Sequence, residues 1–354
     1  MEQVLQQFKD RIAAAGVDKT ALRIRGSGSK DWYGQSPHGS VLDTGAYRGI
    51  IAYDPTELVI TARCGTPLTE IDATLAAQNQ MLAFEPPHFG PTATIGGMVA
   101  AGLSGPRRQA VGALRDFVLG AVLLDGKGDT LHFGGQVMKN VAGYDVSRLL
   151  AGSMGMLGLI LDVSLKVLPI PFAEASVRFE MNQADAIRRL NEWGGQPLPI
   201  SASVWHAGVL SVRLSGAQAA ISAAQSRMGG EAITHANPFW LAVREQDSDF
   251  FAVREEIGLW RLSVPSGTPS IDLPGEQLIE WGGAQRWLKT NADAATIRNA
   301  AEKIGGHATL FRGGDKSVGV FHPLAPALSK IHRNLKNAFD PSGIFNPGRM
   351  YAEF

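Results

Sequence analysis

The chain has 354 residues, 45% hydrophobic and 19% charged, enough for two domains with real cores and ordinary for a water-soluble globular fold. Its 33 Lys and Arg balance its 33 Asp and Glu, and no Lys/Arg block occurs, so the attraction that drives nucleic-acid or anionic-membrane binding is missing and neither partner is expected. The single cysteine, Cys64, excludes an intrachain disulfide and an iron–sulfur cluster, which generally takes four Cys ligands.

The opening "MEQVLQQFKDRIAAAG" carries charges through its middle and puts Val4, Leu5, Phe8 and Ile12 on one helical face, which predicts a helix and not a signal peptide. Apolar runs such as 117–124 fall far short of the roughly 20 residues that span a bilayer. A cytoplasmic location is expected, with any membrane association made through partners.

Next comes "ALRIRGSGSKDWYG", an apolar run that reads as a buried strand followed by Gly26-Ser27-Gly28-Ser29 and a lysine. Such a turn leaves backbone N–H groups unscreened and can seat a phosphate, or it is a plain surface turn; local sequence alone does not choose. "ELVITARC" predicts a strand with Cys64 half-buried at its end, and "TPLTEIDATLAAQNQ" a helix with Thr66 at the N-cap and Pro67 at N1. "FVLGAVLLDGKGDTLHF" predicts two strands joined at Asp125–Gly128, and "LILDVSLKVLP" a half-buried strand with Leu161, Val163, Leu165 and Val167 on one face, ended by Pro169 and Pro171.

The texture changes near residue 172. Strand 174–181, helix 183–193, hairpin 199–206 and 209–215, helix 217–228 and strand 231–235 follow in the βαββαβ order of a ferredoxin-like unit. A further strand and helix run extends to about 312. Trp240, Trp260, Trp281 and Trp287 supply bulk to core or domain interface, and Phe250, Phe251 and Trp260 are either buried or part of a partner surface. The last stretch predicts an amphipathic helix and a Pro/Gly-rich loop, and no sequence repeat is present. The expected boundaries are 1–172, 173–322 and 323–354.

Familiar motifs fail. Asp31 stands where a dinucleotide-binding G-x-G-x-x-G needs its third glycine, Lys127 is followed by glycine and not by the Ser/Thr of a Walker loop, and His-Glu-x-x-His and Gly-x-Ser-x-Gly are absent. What remains is three glycine clusters among small residues, which suits a long ligand threaded through backbone clefts, such as a flavin dinucleotide.

"IRGSGSK", "PTATIGGMVAAGLSG", "VMKNVAGYDVSRLLAGSMGMLGLILDVSLKVLP" and "FDPSGIFNPGRM" together resemble the FAD-binding proteins of the vanillyl-alcohol-oxidase type, with the PCMH-type FAD fold. Among them, the chain is similar over nearly its full length to the FAD-binding subunits of bacterial glycolate oxidases. The resemblance implies an α+β fold: a PCMH-type FAD-binding domain of two α/β subdomains, then a ferredoxin-like antiparallel-sheet cap domain and a C-terminal return to the flavin. It implies that Gly26, Ser27, Gly28, Ser29 and Lys30 wrap the FAD pyrophosphate with Arg25 at the edge. It implies a second contact loop of Thr92, Thr94, Ile95, Gly96, Gly97, Gly102, Ser104 and Gly105, and a third of Gly155, Gly158, Leu159 and Ile160, with Asn346 near the flavin ring. Ile95, Leu159 and Ile160 read equally as core, and the glycines divide between cofactor approach and turn geometry. Ser29-Lys30 stands where some relatives tether FAD through a histidine, so non-covalent FAD is expected unless His38 reaches in.

The His-rich metal-binding run of larger catalytic relatives is shortened here to "GGHATLFRGGDKSVGVFHP", leaving His307 and His322, and no metal is expected. Oxidising a 2-hydroxy acid needs a cation for the carboxylate and a base for the hydroxyl proton, and Arg312 and His322 are the candidates, with His88 third. Tyr144 and Asp145 read as packing and capping. The resemblance implies a sister FAD-binding catalytic subunit, an iron–sulfur subunit and a small 2-hydroxy-acid substrate such as glycolate. Two readings stay open: a glycolate-oxidising flavoenzyme, or a flavin-bearing subunit that relays electrons for its sister.

Overall fold

A computed structural model describes residues 1–135, 145–253 and 256–354. The helix Glu2–Asp18 forms as its apolar spacing requires: Phe8, Ile12 and Ala15 are buried on one face and Lys19 closes its end in the left-handed conformation. That face packs into a core with Leu22, Leu42, Leu159, Ile344 and Phe345, and a side chain such as Ile12 contributes about 1.5–3 kcal/mol by leaving water.

The chain divides into two units, 1–103 with 113–169 and 323–354, and 104–112 with 170–322. The segment 104–112 thus leaves its sequence neighbours for the second unit.

In the first unit, β1 (Leu22–Arg25) pairs in parallel with β2 (Ser40–Asp43), and Phe345 bridges Leu22, also in parallel. β3 (Ile50–Asp54), β4 (Val59–Arg63), β6 (Val118–Leu124), β7 (Thr130–Gly134) and β8 (Leu159–Lys166) form an antiparallel sheet in the order β3-β4-β8-β6-β7. The two-residue strands β5 (Gln80–Met81) and β9 (Leu168–Pro169) pair separately. The β6–β7 turn is tied by Asp125, whose Oδ1 accepts from the amides of Lys127 and Asp129. One local expectation fails. The helix Leu68–Ala76 has Pro67, not Thr66, at its N-cap, because the Thr66 hydroxyl donates to the Arg63 carbonyl and accepts from the Gly49 amide.

Asp162 on β8 pairs across the sheet with Arg63, and burial pushes its carboxyl above the usual range against the pull of Arg63 and His132. Its Oδ1 has no hydrogen-bond partner. A raised native pKa means that the folded state prefers the protonated acid, so stability is lost as pH rises through that pKa. Asp162→Asn should therefore raise the melting temperature by about 2 °C at pH 8, the scale of one partly screened charge, with the gain vanishing towards pH 4. Melting curves at both pH values check this.

In the second unit, β10 (Ala173–Glu180), the helix Gln183–Gly194, β11 (Ile200–His206), β12 (Val209–Gly216), the helix Gln218–Met228 and β13 (Glu231–Ala232) give the order β13-β10-β12-β11, the ferredoxin-like arrangement. β14 (Gly258–Ser263), β15 (Glu276–Glu280), β16 (Gln285–Thr290), the helix Ala294–Lys303 and β17 (His307–Arg312) continue the sheet as β15-β16-β14-β17. Read from its far end this is again fourth-first-third-second. The second half repeats the first, with 264–275 in place of the first helix, and the halves join through β11 and β15. Phe250, Phe251, Trp240, Trp260 and Trp287 are buried in this unit, so no partner surface includes them.

Candidate cofactor site

The end of β1 delivers Arg25 and the glycine loop to a groove of the first unit. Two adjoining clefts share Ile24, Gly26, Gly97, Ala100, Met154 and Asn346. The outer cleft is lined by Arg23, Arg25, Ser27, Gly28, Ser29, Lys30, Asp31, Pro37, His38, Thr94, Ala101 and Arg349, the inner one by Thr44, Cys64, Gly96, Gly155, Gly158, Leu159 and Ile160.

The outer cleft is cationic. Arg23, Arg25, Lys30 and Arg349 face it against the single carboxylate of Asp31, which both Arg23 and Arg25 engage. Arg349 is buried and donates to the carbonyls of Gln35, Lys30 and Asp31; burial pushes its guanidinium down to about 10. Among the described residues the amides of Gly26, Ser27 and Gly28 make no hydrogen bond to backbone carbonyls. Gly28 has φ +82°, and a Cβ there would strike the Arg25 guanidinium, while one on Gly26 would strike Thr94 Oγ1. Unengaged donors, bare glycine and net positive charge fit a pyrophosphate, and the narrow apolar inner cleft fits the flat end of a dinucleotide.

The glycines do not all serve the groove alone. A Cβ on Gly96 would come within 2.6 Å of Cys64 Cβ, on Gly102 within 2.7 Å of Gly152, on Gly155 within 2.7 Å of Asn346 Nδ2 and on Gly158 within 2.8 Å of the Leu124 carbonyl. Close packing of the chain on itself already demands glycine at these four. Gly97 differs: it is exposed, and a Cβ there meets only Thr94 Oγ1, at 3.2 Å. Thr94 caps the helix Ile95–Ala101 by accepting from the Gly97 amide.

Asn346 sits at φ +41°, its Oδ1 accepting from the Ile24 amide at 2.8 Å and its Nδ2 donating to the Met154 carbonyl at 2.6 Å. It clamps the two walls together while lining both clefts. Ile95 is buried core, Thr92 is exposed outside the lining, and Ser104 and Gly105 belong to the second unit, where the Gly105 carbonyl accepts from Trp281 Nε1. His88, buried near Asp72, receives Lys30 Nζ at its carbonyl.

Arg312 and His322 lie in the second unit. Arg312 ends β17 and donates to Gln246 Oε1, with burial lowering its guanidinium pKa. His322 Nδ1 accepts from the Ala308 amide, which leaves the ring proton on Nε2 facing Glu302 Oε1 at 3.0 Å. His307 lies 6.4 Å from His322 between ring centroids. Asp145 accepts from the Ser147 hydroxyl and the Arg148 amide, and Tyr144 lies outside the described residues.

Residues 5–134 match a family model described as an FAD binding domain. The chain is 51% identical over 98% of its length, and 97% of the relative's, to "Glycolate oxidase subunit GlcE" of Escherichia coli (strain K12). It belongs to the GlcE family of FAD-binding flavoproteins. Two further relatives match only part of this GlcE-type chain. "Glycolate oxidase subunit GlcD" of Bacillus subtilis (strain 168) is 33% identical over 42% of it and 32% of the relative. A D-lactate dehydrogenase of Archaeoglobus fulgidus is 40% identical over 30% of it and 24% of the relative. An alkyldihydroxyacetonephosphate synthase structure superposes with a TM-score of 0.65 at 13% identity, covering 96% of this chain and 73% of that one, which shows the shared fold. The cofactor of the GlcE-type chain is FAD, and its fold is the α+β PCMH type that its glycine loops imply.

Sequence reasoning missed Arg23, Asp31, Ala100, Met154 and Arg349. Arg349 stood within reach, three residues after Asn346 in the same "FNPGRM" string.

Cys64 closes the inner cleft, and burial pushes its thiol up to about 12. The folded protein should show no reaction with a disulfide reagent at pH 8, and one thiol per chain after unfolding in guanidinium. Absorbance of the released thiolate checks both.

Proposed function

We propose that this chain is the FAD-binding subunit of a multi-subunit glycolate oxidase that converts glycolate, or a close 2-hydroxy acid, to the corresponding keto acid and passes the electrons to an iron–sulfur partner. The observation that carries it is full-length similarity to the GlcE subunit, joined to a cationic groove with unengaged amides. When bound, FAD supplies the two-electron acceptor. Gly26, Ser27 and Gly28 give amides to the pyrophosphate, the cations of the outer cleft balance its charge, and the inner cleft excludes water from the ring system. Ser29 and Lys30 offer no ring nitrogen at the loop, so binding is non-covalent in this reading. His38, which lines the outer cleft, is the residue whose replacement tests it: flavin should still be released on denaturation of both parent and His38→Ala. One cysteine cannot hold a cluster, so electrons leave through another chain.

In this reading Arg312 holds the substrate carboxylate and His322 takes the hydroxyl proton. A second reading has this subunit relaying electrons while its sister performs the oxidation. It is favoured by His322, whose two ring nitrogens are already engaged by Ala308 and Glu302.

The deciding experiment is an anaerobic absorbance spectrum of the purified chain before and after glycolate. Bleaching supports the first reading, and His322→Ala should then slow it at least tenfold while keeping the flavin. Flavin that stays oxidised until a partner is added supports the second. No flavin even after FAD is supplied overturns the cofactor site.

A further inference from the structure

The helix Pro326–Phe339 has one buried side chain, and it is a lysine. Lys336 extends its ammonium into the first unit, where it donates to the Met156 carbonyl at 2.9 Å, the Phe345 carbonyl at 2.6 Å and Asp340 Oδ2 at 2.7 Å. All three of its protons are therefore used. Asp340 is fully buried and accepts in turn from the Ile344 amide through Oδ1 and the Phe345 amide through Oδ2. The Gly126 turn packs against it so closely that a Cβ on Gly126 would come within 2.6 Å of Asp340 Oδ1.

The two carbonyls that Lys336 grips belong to two adjoining segments that both contribute to the lining of the FAD groove. Met156 follows Met154 and Gly155, which line the inner cleft, and Phe345 precedes Asn346. Asn346 then joins the same segments through Met154, and reaches Ile24 as well. The two segments are thus tied twice, once by a neutral amide that lines the groove and once by a buried ammonium outside its lining. A hydrophobic side chain at 336 would fill the volume but hold neither carbonyl.

We propose that Lys336 is a positioning residue for FAD: it holds the 154–156 and 344–346 segments against one another, and so sets where Met154, Gly155 and Asn346 stand in the lining of the inner cleft, without touching the cofactor. The inference rests on the groove being the FAD site. It makes FAD affinity sensitive to a residue that lies outside the groove lining.

The test compares Lys336→Met with Leu75→Ala, which removes a fully buried side chain from the helix Leu68–Ala76, outside the groove. Both variants lose stability. FAD affinity is measured by flavin fluorescence quenching at 10 °C, where circular dichroism shows each to be folded, together with the visible spectrum of the bound flavin. The expected result is that Leu75→Ala binds FAD within threefold of the parent, while Lys336→Met binds at least tenfold more weakly and with blurred vibronic shoulders. Equal affinities and spectra in the two variants overturn the proposal, as does an equal loss in both. If the parent itself binds no FAD, the groove assignment fails first. Should Lys336→Met not fold, Lys336→Gln, which keeps two donors on a shorter stem, serves in its place with the same expected loss.

Discussion

Gly97→Leu gives a chain that melts no lower than the parent and purifies colourless. Gly97 is the third residue of the helix Ile95–Ala101, is exposed, and would bring a Cβ within 3.2 Å of Thr94 Oγ1 alone, so a side chain there asks the capping hydroxyl to yield by a few tenths of an ångström and meets no backbone. Replacing a helical glycine removes a penalty of up to about 1 kcal/mol. Yet Gly97 lines both clefts, and a leucine there fills the space the cofactor needs. Overpacking a snug site by several methylenes costs about 3 kcal/mol, or roughly a 100-fold loss of FAD affinity. The ratio of flavin to protein absorbance and a melting curve are sufficient. Retained flavin at full occupancy would remove the groove from consideration. Gly28→Val should also lose flavin, but at the cost of strain at φ +82°, and Gly96→Ala should damage the fold through Cys64 whether or not FAD is present. The contrast among these three separates cofactor approach from chain packing.

Asp340→Ala is expected to be the most destabilising single change in the first unit. It strands the Lys336 ammonium, 5% exposed, without its counter-charge, and leaves the amides of Ile344 and Phe345 without their acceptor. Breaking one side of a buried pair costs about 3–5 kcal/mol, a large part of the roughly 5–15 kcal/mol that holds a domain together. Urea titration followed by tryptophan fluorescence should show a midpoint shifted to lower urea; an unfolding free energy within about 0.5 kcal/mol of the parent would mean that the ion pair is dispensable.

The parts of the molecule that the sequence made legible are those governed by local rules. Asp125–Gly128 spelled its own turn, and the βαββαβ run of 173–232 arrived in its usual sheet order. Leu161, Val163, Leu165 and Val167 are buried as their alternation requires, but the strand is not half-buried: Ser164 on the other face is buried too, hydrogen-bonded to Thr61. The glycine loop was visible because bare backbone after a strand is conspicuous. The second ferredoxin-like half was not, because 264–275 lacks the helix that would have completed the pattern. Lys336 was hidden for a different reason: a lysine in an amphipathic helix reads as solvent-facing, and only three-dimensional proximity to Met156 and Phe345 reverses that. At Gly96, Gly155 and Gly158, which line the inner cleft, and at Gly102, the sequence left cofactor approach and turn geometry open, because the close neighbours that also require glycine there are neighbours in space and not in sequence. Arg349 and Met154 lie inside the strings that carry the resemblance, but a lone arginine and a methionine have no spacing rule that marks them as lining.

The chain passes between its two units four times, at 103/104, 112/113, 169/170 and 322/323, and this order has a consequence for biogenesis. One wall of the groove, residues 23–31, is among the first parts synthesised, while Asn346 and Arg349, which seal it, emerge after every residue of the second unit. Domains assemble as they leave the ribosome, so the second unit has all its strands while the first still lacks its closing clamp. Until then the β1 edge that Phe345 and Asn346 will cover stays open. Flavin loading is therefore a late event, and a chain stalled before residue 346 would carry a finished second unit and no means of retaining its cofactor.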